Sequence, residues 1–178
     1  MAKAIVHQAH QLNALVSNLL DMARLESDVS GQSVHLRRDW QSVEEVVGSA
    51  IRAARPALGD MPVRTELPAD LPLVEFDPVL IERVLVNLLE NAAKYGAGPV
   101  VVKASTTDNM LVLKVRDHGP GLPASVRGKE HTLFEKFTRG QAESATPGVG
   151  LGLAICKAVV QAHGGAISAA SVEGGGAE

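Results

Sequence analysis

The chain has 178 residues, 46% of them hydrophobic and 21% charged, with a formal net charge of −3. That size suits one ordinary domain with a small appendage, and the slight negative charge excludes attraction to nucleic acid by bulk electrostatics. A single cysteine, Cys156, excludes an internal disulfide and fits a reducing compartment, and no apolar run approaches the roughly 18 residues of a membrane span.

The first segment, Lys3 to Glu26, predicts one helix, since it contains neither Pro nor Gly. Ile5, Leu12 and Leu19 repeat every seven residues, with Gln8, Leu15 and Met22 between them. Ala9, Val16 and Ala23 widen the stripe, which suits a helix bundle better than a two-stranded coil. A partner helix is implied, unless the stripe packs on the chain's own main domain. Ser27 to Gln32 is a polar, Gly-containing break, and it predicts a hinge at about residues 28–33. From residue 34 strands and helices mix. Val34 to Arg38 reads as a short strand. Ser42 to Arg55 reads as a helix, capped by Ser42 and Glu45 and stopped by Pro56. Val63–Glu66 and Leu73–Phe76 read as short strands.

Asp77-Pro78 opens a strong helix running to Tyr95, because Pro needs no amide donor at a first helical position. Val100–Ser105 and Leu111–Arg116 read as paired strands. Asp117 to Pro147 is rich in Gly, Pro and charge and reads mostly as loop. Val149 to His163 reads as a helix ended by Gly164-Gly165, with Cys156 a small buried residue within it. Ala166 to Ala170 reads as a strand, and Gly174-Gly175-Gly176 as a tail after which a further strand is expected.

Three of these elements carry chemistry. On the helix Asp77–Tyr95, Ile81, Leu85, Leu88 and Ala92 form a core face, and Asn87, Asn91, Lys94 and Tyr95 share an adjoining one. Two Asn in a helix interior are poor helix formers and cost stability if half-buried without partners. Such a face suits a nucleoside triphosphate: an Asn carbonyl is a hard oxygen for Mg²⁺, and amide and ammonium donors reach phosphate. It also reads as a merely solvated helix face. Asp117-His118-Gly119-Pro120-Gly121 follows an apolar strand and places a carboxylate, a good acceptor for the adenine amine, at a pocket edge; the same pattern also makes ordinary turns. Gly148-Val149-Gly150-Leu151-Gly152-Leu153 runs into a helix, whose amino end favours phosphate. No apolar strand precedes it, which argues against a Rossmann turn.

In this order the three elements resemble the N, G1 and G2 boxes of the GHKL ATPase/kinase superfamily, over about Trp40 to Val172. Phe134-Glu135-Lys136-Phe137 resembles the F box, and Arg139 follows it as in histidine kinases. Asn18 to Glu26 looks like the second helix of a dimerisation and histidine-phosphotransfer domain. The wording of Leu73–Asp77, Leu88–Tyr95 and Gly148–Cys156 is similar to that of potassium-responsive sensor kinases.

The resemblance implies an α+β fold, a two-layer sandwich with a mixed sheet covered by three helices, preceded by one helix of a dimerisation four-helix bundle. It divides the chain into a partial phosphotransfer domain (residues 1–27), a hinge (28–33) and a catalytic ATP-binding domain (34–178) expected to lack its last strand. Asn91 would be the Mg²⁺ ligand, Asn87 and Lys94 would contact phosphates, and Arg139 would reach the γ-phosphate; Asn87, Lys94 and Arg139 are the implied catalytic set. Tyr95 would lie along adenine and Asp117 would accept from its amine. Gly148, Gly150 and Gly152 would donate backbone amides, and Gly119, Gly121, Leu122, Phe137, Val149 and Leu151 would complete the ATP site. Residues 122–147 would form a lid over ATP.

The superfamily's hydrolases tend to carry Glu where this chain has Asn87, and an amide cannot take a proton from water, so transfer is favoured over hydrolysis. The family's phosphoacceptor is a His followed by an acidic residue, whereas His7 and His10 are followed by Gln. Both read as surface residues, and the acceptor is expected outside this sequence; His118 and His163 read as residues of a turn and a helix end. The implied function is ATP-dependent protein-histidine phosphorylation, in a homodimeric, membrane-anchored bacterial protein with its catalytic part in the cytoplasm. A cognate response regulator would receive the phosphate, and no nucleic acid is implied. The alternative is a non-enzymatic, ATP-gated GHKL dimerisation module.

Overall fold

A computed structural model of the chain describes residues 36–108, 110–135 and 151–178. The predicted first helix, the hinge, Phe137, Arg139, Gly148, Val149 and Gly150 lie outside the described residues. The elements in order are β1 (Asp39–Gln41), α1 (Val43–Leu58), β2 (Val63–Glu66), β3 (Val74–Phe76), α2 (Pro78–Tyr95), β4 (Val100–Thr107), β5 (Met110–Arg116), two 3-10 turns (Ala124–Val126 and Glu130–Phe134) and α3 (Gly152–Ala162). The α+β fold is the one expected, with a mixed sheet and three helices. The strands divide into two sheets. The larger has the order β2-β4-β5, with β2 parallel to β4 and β4 antiparallel to β5; β1 and β3 pair apart from it.

Alternation along the strands decides which face is covered. Val100, Val102 and Ala104 of β4 point into the main core, where Val47, Ala50 and Leu58 of α1 and Leu85, Leu89 and Ala92 of α2 meet them. The other face is polar, with Lys103 paired to Glu66 at 2.6 Å and Lys114 to Glu178 at 2.9 Å. A second core lies on the far side of α2, where Val84 meets Ala154, Ile155, Cys156 and Val159 of α3. α2 is therefore packed on two sides. Val84 and Leu89 are more deeply buried than Ile81 and Leu88 of the predicted core face.

Helix α2 begins where the sequence predicts. The Asp77 carboxylate accepts from the Val79 and Leu80 amides at 3.1 and 3.2 Å, and Pro78 fills the first turn. Such a cap contributes about 1 kcal/mol.

Several boundaries differ from the sequence reading. The first described strand is Asp39–Gln41, because the Arg37 amide is already committed to the Asp77 carboxylate at 3.0 Å and the Arg38 guanidinium to the Ala162 carbonyl at 3.1 Å. Helix α1 passes through Pro56 and ends at Gly59, whose amide donates to Arg55 O at 2.9 Å. The bond lost at Pro56 falls in the last turn, and burying Leu58, a contribution of about 1.5–3 kcal/mol, offsets it. The C-terminal helix begins at Gly152.

Ala166–Ala170 is not a strand. Ala170 and Glu178 exchange backbone bonds at 2.9 Å around a tight reversal, with the bridge Ser171–Ala177 inside it. Gly174, Gly175 and Gly176 make that turn with φ of 87°, 104° and 95°, values that favour glycine. The loop predicted after Asp117 holds the two 3-10 turns, and Phe134 is buried where the second packs on α3.

Candidate nucleotide site

The site follows from where α2 meets its neighbours. At its C-terminal end Gly96 ends the helix, its amide donating to Ala92 O at 2.9 Å. The next residues are tied to the loop that follows β5. His118 donates its backbone amide to Ala97 O at 3.0 Å, and its Nδ1 lies 2.7 Å from Pro99 O. Asp117 is held from both sides: its amide donates to Ala177 O at 3.0 Å, and its Oδ1 accepts from the Gly119 amide at 2.7 Å. A methyl group on Gly119 would stand 2.7 Å from Gly96 Cα, so the two segments pass backbone to backbone. Glycine is required here by close approach, a use that sequence alone does not reveal.

At the other end of the groove the amino terminus of α3 faces the middle of α2. A methyl group on Gly152 would lie 3.6 Å from Asn87 Oδ1. Leu151 occupies the N-cap position and is buried, and among the described residues no side chain caps the helix start. Uncapped first-turn amides and the helix dipole together make an anion site. Asn87 Nδ2 is itself buried with no oxygen or nitrogen acceptor among the described residues, and faces the weakly accepting sulfur of Cys156. A buried unpaired donor costs about 1–3 kcal/mol, so a fold that keeps one calls for an explanation. An acceptor placed between Asn87 and the start of α3 supplies it, and a phosphate oxygen fits that description.

The two ends are nine residues apart on α2, from Asn87 to Gly96, or about 13 Å at 1.5 Å per residue. An extended nucleotide fits such a span with its base at Asp117 and its phosphates at Asn87. Asn91 lies between them, half-buried; Lys94 is exposed, and Tyr95 is 57% exposed at the base end.

Two predicted site residues serve the scaffold as well. The Leu122 amide donates to Ser171 Oγ at 3.0 Å, and Gly121, with φ 81°, packs under Gly176 O and Ser171. The close roles of Gly96, Ser171 and Ala177 were not legible in the sequence. Arg116, just before Asp117, carries a second buried unpartnered nitrogen, Nε. Burial pushes the Cys156 thiol up to about 12, a shift the neighbouring Asn87 amide only partly offsets, so Cys156 is an inert core group.

A carboxylate after β5 beside the end of one helix, and a second helix whose start faces the middle of the first, on a mixed sheet, define a candidate nucleotide-binding domain. Residues 76–178 match the model of the histidine kinase-, DNA gyrase B- and HSP90-like ATPases, and the chain belongs to that family. Its relatives identify it more closely as the ATP-binding catalytic domain of a sensor histidine kinase.

It is 49% identical over 172 residues to the sensor protein KdpD of Escherichia coli K12, covering 94% of this chain and 18% of that protein. To the sensor protein KdpD of Mycobacterium tuberculosis H37Rv it is 36% identical over 167 residues, 93% of this chain and 19% of that one. The chain thus spans about a fifth of the curated KdpD proteins it matches. Among solved structures, full-length ShkA in complex with AMPPNP superposes with a TM-score of 0.80 at 26% identity, over 98% of this chain and 36% of ShkA. The mycobacterial sensor histidine kinase MprB gives 0.65 at 30% identity, over 79% of this chain and 92% of that one. Among the described residues no helix is long and apolar enough to cross a membrane.

Proposed function

We propose that this domain binds ATP with Mg²⁺ in the groove between α2 and α3 and delivers the γ-phosphate to a histidine on another part of the intact protein, for relay to a response regulator. The observation that carries the reading is the buried Asn87 Nδ2, which lacks an oxygen or nitrogen acceptor among the described residues, beside the start of α3. Adenine is read by Asp117, with Tyr95 alongside. Phosphates are held by Asn87, Lys94 and the first amides of α3, with Arg139 reaching the γ-phosphate. Asn91 offers the metal a hard amide oxygen; few protein ligands are needed where phosphates complete the shell. When bound, Mg²⁺ neutralises charge developing on the β- and γ-phosphate oxygens.

In the transfer an imidazole nitrogen attacks the γ-phosphorus, the bond to the bridging oxygen breaks, and ADP leaves with that electron pair. Catalysis of this kind is mostly positioning and electrostatics. Asn87 contributes by donating to phosphate while offering no base to activate water.

Residues 1–27 are assigned to the second helix of a dimerisation domain, 28–33 to a hinge and 34–178 to the catalytic domain. His7 and His10 lack the acidic neighbour of a phosphoacceptor. The likeness to KdpD supports potassium sensing by a homodimeric, membrane-anchored protein with this part in the cytoplasm. The test is label transfer: this chain, given γ-labelled ATP and the complementary histidine-bearing helix, labels that helix and then the regulator, and does not label itself. ATP binding with no labelling of any histidine would leave an ATP-gated dimerisation module as the better account.

A further inference from the structure

Helices α2 and α3 run antiparallel, and three contacts mark their register: Gly152 against Asn87, the Cys156 thiol donating to Val84 O at 3.7 Å, and Asp77 against His163. The last has a defined chemistry. The Asp77 backbone amide donates to His163 Nε2 at 3.1 Å, and His163 Nδ1 lies 2.8 Å from Val159 O. A backbone amide can only donate, so Nε2 is the acceptor and Nδ1 carries the proton. His163 thereby fixes the C-terminal end of α3 to the amino end of α2, while the opposite end of α3 forms the anion site. The Asp77 carboxylate and the Arg38 guanidinium brace the same joint, through the Arg37 amide and the Ala162 carbonyl.

We propose that His163 is a positioning residue for phosphate binding: its clasp on Asp77 sets how far α3 slides along α2, and so where the first amides of α3 stand relative to Asn87. A packed helix transmits a shift at one end to the other, and small misplacements at a phosphate site cost large factors. The proposal rests on the reading of the groove as an ATP site.

His163→Asn retains a group near Nδ1 but cannot reach the Asp77 amide, whereas His163→Gln places a carbonyl oxygen near Nε2. The measurement is the ratio of ATP to AMP affinity by calorimetry, since AMP keeps the base contacts and lacks the distal phosphates. His163→Asn should lower that ratio about tenfold or more, and His163→Gln should restore most of it. In parallel, the Asn87 side-chain amide resonance of the nucleotide-free protein should move in His163→Asn and return in His163→Gln. A lower melting temperature with ratio and resonance unchanged would show His163 to be ordinary scaffold and overturn the proposal. A wild-type protein that fails to bind ATP overturns the functional reading instead, and the Asn87 resonance then decides the clasp by itself.

Discussion

Gly96 ends α2 and Asp117 follows β5, and they approach so closely that a methyl group on Gly96 would stand 2.6 Å from Asp117 Cβ and 2.6 Å from Ala92 O. The contact places the carboxylate at the mouth of the groove. Gly96→Ala should therefore displace Asp117 as well as strain the helix end. Overpacking costs about 1–3 kcal/mol, so the melting temperature should drop by several degrees, and ATP affinity should fall further than that of free triphosphate. Calorimetry with both ligands checks this; an equal loss for the two would mean that the base end is undisturbed.

Asp117→Asn tests the base contact with the turn preserved. Its oxygen can still accept from the Gly119 amide, which donates to Asp117 Oδ1 at 2.7 Å, but the group facing adenine becomes a donor. A hydrogen bond to a charged group contributes about 1.5–3 kcal/mol, so ATP affinity should fall roughly ten- to a hundredfold with little change in melting temperature. Wild type should also prefer ATP over GTP, because guanine presents a carbonyl where adenine has its amine. Equal affinities would remove Asp117 from the base site.

Asn87→Ala should separate stability from binding. It removes a buried donor that lacks an oxygen or nitrogen acceptor among the described residues and replaces a poor helix former with the best one. The nucleotide-free variant should melt at or above the wild-type temperature, while ATP affinity falls about tenfold or more. A site that carries a stability cost for function behaves in this way. A variant that melts lower yet binds ATP normally would make Asn87 a structural residue.

Cys156 sets an alkaline limit. Burial raises its thiol from 9.0 to about 12. Below pH 9 the thiol is protonated in both states and its contribution is fully present. Between pH 9 and about 12 the unfolded chain releases the proton and the native one keeps it, so stability falls as pH rises, by up to about 1.4 kcal/mol per pH unit. The urea midpoint of wild type should decline faster above pH 9 than that of Cys156→Ala. A thiol reagent at pH 8 should react only on unfolding; rapid labelling of the native protein would contradict the burial.

The sequence by itself determined the local and periodic features. Asp77-Pro78 specified the start of α2, and its run to Tyr95 was legible too, because caps and helix propensity act within a few residues. The spacing of Asn87, Asn91, Lys94 and Tyr95 put them on one helical face, and β2 was read to the residue. The order of the three boxes was enough to indicate the family.

Tertiary structure decided whatever depended on a distant partner. Pro56 does not stop α1, because the burial of Leu58 is a tertiary effect. The strand near the start of the described residues begins at Asp39 because the Arg37 amide is taken by Asp77, 40 residues away. Ala166–Ala170 has strand-like residues, but among the described residues only Ala170 at its end is paired, where the glycine turn brings Ala177 and Glu178 back. Above all, Asn87 becomes a buried donor facing only a weakly accepting sulfur among the described residues once α3 is laid against α2. The amide was visible in the sequence, and its lack of a good acceptor arises from packing.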